Sequence, residues 1–292
     1  MKRRALGRSL GLTVRMTIAL VLLAATYAGI VALCAFLIAY RPAYWWFWTL
    51  AGLAIGWALA SRYRGGGAAI LRSLGAETMP VGDDHGVHAM VARLAGLAEI
   101  GVPAVAIAAT PAPNAMAVGL KPGDSTIVVT EGLLEALDGG ELEAVLAHEV
   151  AHLANRDAAV MTAVSAPRVL GEVVVGGSST NLGLLWLVGW PLGLIPLGIG
   201  TGLTQTVSRY REFSADRGSA ILTGAPEQLM SALVKLSKSA REIPHEDLRT
   251  ANAFCIVSTH AHGFSLLSDH PPLEKRLAAL AEIAREMGKS VS

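Results

Sequence analysis

The residues best suited to chemistry lie in the stretch Leu146–Asp157, LAHEVAHLANRD. His148 and His152 stand four apart, with Glu149 between them. On a helix of about 3.6 residues per turn, positions i and i+4 share a face, so both imidazoles can turn to one metal ion with Glu149 beside it. That is the pattern of a zinc site carrying its own general base. Chance is the bland alternative, and five residues alone do not dispose of it. A catalytic zinc site takes three protein ligands and leaves a position for water. The best third ligand is Glu212, in SRYREFSADRGSA (208–220). Asp216 stands four residues later on the same helical face, placed to take the outer N–H of a ligand histidine and fix its tautomer. Taken alone, this segment reads as an exposed helix whose Arg209, Arg211, Glu212, Asp216 and Arg217 pair with one another. Beside His148 and His152, the metal reading is the stronger.

These side chains need elements to hold them. Residues 141–156 are rich in Ala, Leu and Glu without Gly or Pro, which predicts helix. Three short β-like runs, 102–110, 114–120 and 125–131, are broken by Pro, Gly and Asp and predict a small sheet whose last strand leads into a helix at Glu131–Leu137. Pro226–Ser239 reads as helix, with Pro226 in its first turn and Leu229, Leu233 and Leu236 on one stripe. A helix is also expected at Val87–Ile100. His85 and His88, with Asp83 and Asp84, suit either a second metal site or an ordinary capped helix start, and capping is preferred. His245, His260 and His262 lie in less regular sequence and read as loop residues. A closing amphipathic helix begins after His270-Pro271-Pro272 and runs through Met287.

The setting is apolar. Of the 292 residues 52% are hydrophobic and only 16% charged, against about 25% in ordinary soluble domains. Mean hydropathy is +0.47. A net charge of +1 gives no electrostatic case for nucleic acid. Cys34 and Cys255, far apart, lack metal-ligand spacing and form no disulfide framework. After a basic start, Met16–Tyr40 runs 25 residues without a charge, about 37 Å as helix and longer than a signal-peptide core. Arg41-Pro42 precedes Ala43–Ala60, a further 18 charge-free residues with Trp45, Trp46 and Trp48 at the interface position. This predicts an uncleaved hairpin anchor. Its two ends are the basic ones, carrying Arg3, Arg4, Arg62, Arg64 and Arg72 among others, so both should face the cytoplasm.

Gly65-Gly66-Gly67 forms a flexible joint between this anchor and the domain beyond it. Further on, Ala158–Thr180 is apolar but carries Arg168, Glu172 and Pro167, and Leu182–Leu203 has 22 residues without a charge. Because His152 and Glu212 must reach one metal, the chain between them crosses a membrane an even number of times. A second hairpin is preferred over a hydrophobic cover on the site. The expected fold is thus an α+β membrane protein: a mostly helical zincin-like protease domain with a small β-sheet and about four transmembrane helices in two hairpins. The divisions are a basic N-terminus (1–15), a hairpin (16–60), the first protease part (61–157), a second hairpin (158–203) and the second protease part (204–292).

Five pieces in this order, PNAMAVG (113–119), VVTEGLLEAL (128–137), residues 141–157, residues 208–220 and HPPLEKR (270–276), resemble the HtpX-type membrane zinc endopeptidases, relatives of the CaaX prenyl proteases. The resemblance implies one Zn²⁺ per chain on His148, His152 and Glu212, with Glu149 as general base and Asp216 behind a ligand. It implies that the strand bearing Asn114 binds substrate as an added strand, and that His270 and Arg276 lie beside the substrate, His270 stabilising an oxyanion. On residues alone, Asn114 reads equally as a turn residue after Pro113, and His270 as helix-start punctuation. Implied too are membrane-protein or unfolded polypeptide substrates, quality control as the role, and an active site on the cytoplasmic face of a bacterial-type plasma membrane. Two alternatives stay open: a specific processing protease of the CaaX kind, whose relatives have more spans than four, and a zinc-binding membrane chaperone or scaffold that does not cut. The second has no need of Glu149.

Overall fold

The computed structural model describes residues 86–119, 124–178, 184–242 and 271–289, with scattered positions between 21 and 78. The described elements are β1 (Glu77–Thr78), α1 (Val87–Leu97), β2 (Ala104–Ala108), β3 (Ala115–Gly119), β4 (Ser125–Thr130), α2 (Glu131–Ala136), α3 (Gly139–Asn155), α4 (Asp157–Ser178), α5 (Leu184–Thr223), α6 (Pro226–Glu242) and α7 (Leu273–Glu286). They fall into two compact units. One holds Gly67–Ala159 and Ser208–Ser292, and the other holds Val160–Val207 and Arg8–Gly66.

In the first unit the strands form one sheet in the order β1-β2-β4-β3. β2 and β4 run parallel, while β3 returns antiparallel to β4 and ends as an edge strand. Alternate residues of a strand face opposite sides, and here both sides are covered. Val105, Ile127 and Val129 pack toward the helices with Val91 and Leu94 of α1, Val145, Leu146 and Val150 of α3, Leu229 and Leu233 of α6, and Leu280 of α7. Ala106, Ala108, Met116, Val118 and Val128 form a smaller cluster on the other face. A sheet buried on both faces needs continuous apolar strands, which explains why these runs do not alternate with polar residues.

α3 starts where its sequence says it should. The Asp138 side chain accepts from the backbone N–H groups of Gly140 and Glu141, and Glu141 reaches back to the Asp138 N–H at 3.0 Å. This reciprocal cap satisfies donors that a bare helix end leaves open. α3 ends at Arg156, which sits in the left-handed region at φ 56 and turns the chain directly into α4.

α5 carries the chain through the expected division at Leu203. It runs unbroken for 40 residues, from the apolar segment through Glu212 to Thr223. The expected boundary marked a change in hydropathy, and nothing between Leu203 and Ser208 stops a helix. Gly218 lets this helix close on α3, since a Cβ there would stand 2.6 Å from the Ala151 Cβ. Beside it, Ser219 Oγ donates to the Ala144 carbonyl at 2.6 Å.

In the second unit Val164 of α4 packs against Leu203 and Val207 of α5. Arg168 and Glu172 pair along α4 at 3.0 Å. The expected four membrane-spanning helices are not met among the described residues, where no helix is long and apolar enough to cross a membrane. The side chains of residues 176–192 and most of the first expected hairpin lie outside that set.

Candidate metal centre and active site

One turn of α3 and one turn of α5 build the centre. His148 and His152 turn their Nε2 atoms to within 3.1 Å of each other, with the rings edge to face. From α5, the two oxygens of Glu212 reach them, Oε2 at 3.6 Å from His148 Nε2 and Oε1 at 3.6 Å from His152 Nε2. All three side chains are buried. Ligand atoms about 2.0–2.1 Å from a tetrahedral zinc stand roughly 3.4 Å apart, and this triangle of two imidazoles and a carboxylate matches that spacing and donor set. His148, Glu149 and His152 also place one possible ligand atom each within 4.8 Å of one another.

Support comes from behind the ring nitrogens. Asp216, fully enclosed, sets its Oδ1 3.1 Å from His148 Nδ1. Arg276 of α7 grips the same carboxylate with two hydrogen bonds, Nε to Oδ2 at 2.9 Å and NH2 to Oδ1 at 2.6 Å. Its third nitrogen lies 3.5 Å from Glu212 Oε2. Burial works against charge on Asp216, yet the Arg276 guanidinium and His148 outweigh it and hold the carboxyl below its ordinary value. Burial likewise opposes a proton on His148, but the Asp216 and Glu212 carboxylates win and raise it to about 9. The two carboxylates thus favour positive charge at His148.

Glu149 is buried without such compensation. Enclosure pushes its carboxyl up, the two histidines pull it back in part, and the nearby Glu212 pushes it further. It accepts a main-chain hydrogen bond from the N–H of Ala117 on the edge strand β3. A carboxylate with a raised pKa next to a metal site is suited to accept a proton and return it.

Asn114 is also buried and immediately precedes that strand. Its N–H donates to Thr130 Oγ1 at 2.8 Å, and its carbonyl accepts the Thr130 N–H at 3.0 Å. By antiparallel alternation, this pairing turns the main-chain groups of Met116 and Val118 toward β4 and those of Ala115 and Ala117 outward. The outward edge is thus the one that reaches Glu149.

Arg276 lies within the centre, 2% exposed, with its guanidinium against Asp216 and Glu212. His270 lies outside the described residues, as do His85, His245, His260 and His262. Sequence reasoning passed over Asp157, whose Oδ2 lies 2.5 Å from His152 Nδ1, and gave Arg211 no role at the centre, although its Nε lies 3.2 Å from that same oxygen. A signal was available: Asp157 closes the very stretch that holds both histidines.

Two histidines one turn apart, a carboxylate from a second helix and a second buried glutamate beside them fit the centre of a zinc-dependent peptidase. The chain belongs to Peptidase family M48, whose sequence pattern matches residues 83–284. It is 40% identical to a protein named Protease HtpX homolog from Moorella thermoacetica, over 98% of both chains. It is 36% identical to Protease HtpX homolog 2 from Methanosarcina mazei, over 98% of this chain and 99% of that one. In fold it is similar to the crystal structure of S. mikatae Ste24p, with a TM-score of 0.54 and 20% identity, covering 93% of this chain and 67% of that one. The protein is a metallopeptidase, and zinc is its metal.

Proposed function

We propose that this chain is a membrane-anchored zinc endopeptidase that cuts unfolded or misassembled membrane-protein segments at the cytoplasmic face. The observation that carries the catalytic part is the triangle of His148, His152 and Glu212 with Glu149 enclosed beside it. Bound zinc supplies Lewis acidity to the scissile carbonyl and to water. Glu149 takes the proton of the attacking water and passes it to the leaving nitrogen. Asp216 and Arg276 keep the His148 ring in place while this happens. His270, six residues before Arg276, is assigned to the carbonyl oxygen as charge builds there.

The outward edge of β3 is assigned to the substrate. An extended peptide laid along Ala115–Gly119 gains main-chain hydrogen bonds that ask little of its side chains, as suits varied unfolded segments. Asn114, at the start of that edge, sets its register. The anchor is supported by large apolar side chains left exposed at Val21, Phe36, Trp45, Leu53 and Trp57 of the first hairpin and at Ile195 and Ile199 of α5. The orientation rests on the basic residues at both ends of the first hairpin.

The detergent-purified chain loaded with zinc should cut casein and stop when chelated. In intact cells, a cysteine placed at Ser239 should resist an impermeant thiol reagent until the cells are opened. Labelling from outside would overturn the orientation, and failure to cut any unfolded protein would overturn the broad substrate class.

A further inference from the structure

Each ligand histidine has an aspartate behind it and an arginine behind the aspartate. For His148 the chain is Asp216 then Arg276. For His152 it is Asp157 and then Arg211, both contacts converging on Asp157 Oδ2. The geometry points to Asp157 as a positioning residue for His152, with Arg211 as its anchor.

An imidazole that offers Nε2 to a cation must keep its proton on Nδ1. A carboxylate at Nδ1 fixes that tautomer and stops the ring from turning. Asp157 is 6% exposed and faces the ring squarely enough for a 2.5 Å contact. Getting it there requires the left-handed turn at Arg156, an uncommon conformation for a residue with a side chain. Arg211 directly precedes Glu212 on α5. The turn that supplies the carboxylate ligand therefore also anchors the support of a histidine ligand, and the two helices are registered by one ion pair.

The plainer role for Asp157 is an acid in the first turn of α4, where it suits the helix dipole. Serine is neutral and too short to reach His152, so Asp157→Ser removes both roles, and the readouts separate them: loss of the dipole interaction shows in melting, loss of the histidine support in zinc affinity. The inference rests on the metal-centre reading, and the experiment keeps them apart. Zinc affinity is measured on the full chain in detergent by chelator competition, alongside the visible spectrum of the cobalt-loaded protein and melting of the metal-free protein. Wild type, Asp157→Ser, Asp157→Asn and Arg211→Met are compared.

Asp157→Ser should bind zinc about 10–100-fold more weakly and shift the cobalt bands. Asp157→Asn keeps an oxygen at the Nδ1–H and should recover most of the affinity. Arg211→Met should lose less than Asp157→Ser, and should add nothing when combined with it, because both act along one path. Wild-type affinity and spectrum in Asp157→Ser would overturn the role, as would a lower melting point with affinity unchanged. A wild-type chain that binds no zinc would sink the metal centre itself.

Discussion

Helix α3 buries two glutamates about two turns apart, and they end in opposite states. Glu141 is 1% exposed and Glu149 5%. Burial pushes both carboxyls up. At Glu141 it is outweighed by Lys235 Nζ at 2.6 Å, Ser231 Oγ at 2.6 Å and the Asp138 N–H at 3.0 Å, so the group lies below its ordinary value. At Glu149 the histidines and a main-chain N–H do not outweigh it, and Glu212 adds to the push. Residue type and helix are shared, so depth and partners together decide: Glu141 lies near the start of α3 with three donors around it, and Glu149 lies deeper with fewer. The base of the proposed reaction is the under-bonded one.

The contrast breaks most sharply by substitution. Glu149→Gln should cut kcat on casein by about 10²–10⁴-fold, with zinc still bound one to one and the melting point not lowered. A melting point that falls would place Glu149 among the structural groups. Glu141→Ala should do the reverse. Its loss removes the charge-assisted hydrogen bonds to Ser231, Lys235 and the Asp138 N–H, and should cost about 1–3 kcal/mol, read by denaturant unfolding, with kcat within a few-fold of wild type. A kcat loss on the scale of Glu149→Gln would erase the distinction.

Half of this contrast is written in the sequence. The centre on α3 and α5 is legible because helical ligands recur at i and i+4, and His148 with His152, and Glu212 with Asp216, obey that spacing. The fixed cap at Asp138 and Glu141 comes from spacing as well. Asp157 escapes the same rule. It stands five residues after His152, past the end of α3, and meets the ring only because Arg156 adopts a left-handed turn that no glycine announces. Glu141's partners Ser231 and Lys235 come from α6, about ninety residues on, and no local pattern reports them. The sheet shows the same limit. Its three main runs are visible, but the order β1-β2-β4-β3 needs a parallel pairing across the intervening strand, and two-residue β1 is too short to have a period. The resemblance implies Arg276 beside the substrate, and nothing in the sequence shows that its guanidinium also holds Asp216.

The smallest expected effect tests the mechanism behind the comparison. Because the carboxyl of Glu141 lies below its ordinary value of 4.5, the folded state favours its charged form. Its contribution is therefore fully present above that value and is lost as pH falls through the lower value it has in the folded chain. The melting-point gap between wild type and Glu141→Gln should stay constant from neutral pH down to about 4.5 and narrow below it. Lys235 is the strongest of the partners that lower this carboxyl, so Lys235→Met should leave the onset near 4.5 but end the narrowing at higher pH and make it smaller in total, with the gap's sign unchanged. The shift should be small, because Lys235 is itself 45% exposed and water already screens its charge. A gap that widens as pH falls would mean that burial, not the partners, governs Glu141, and the two glutamates would then differ in degree only.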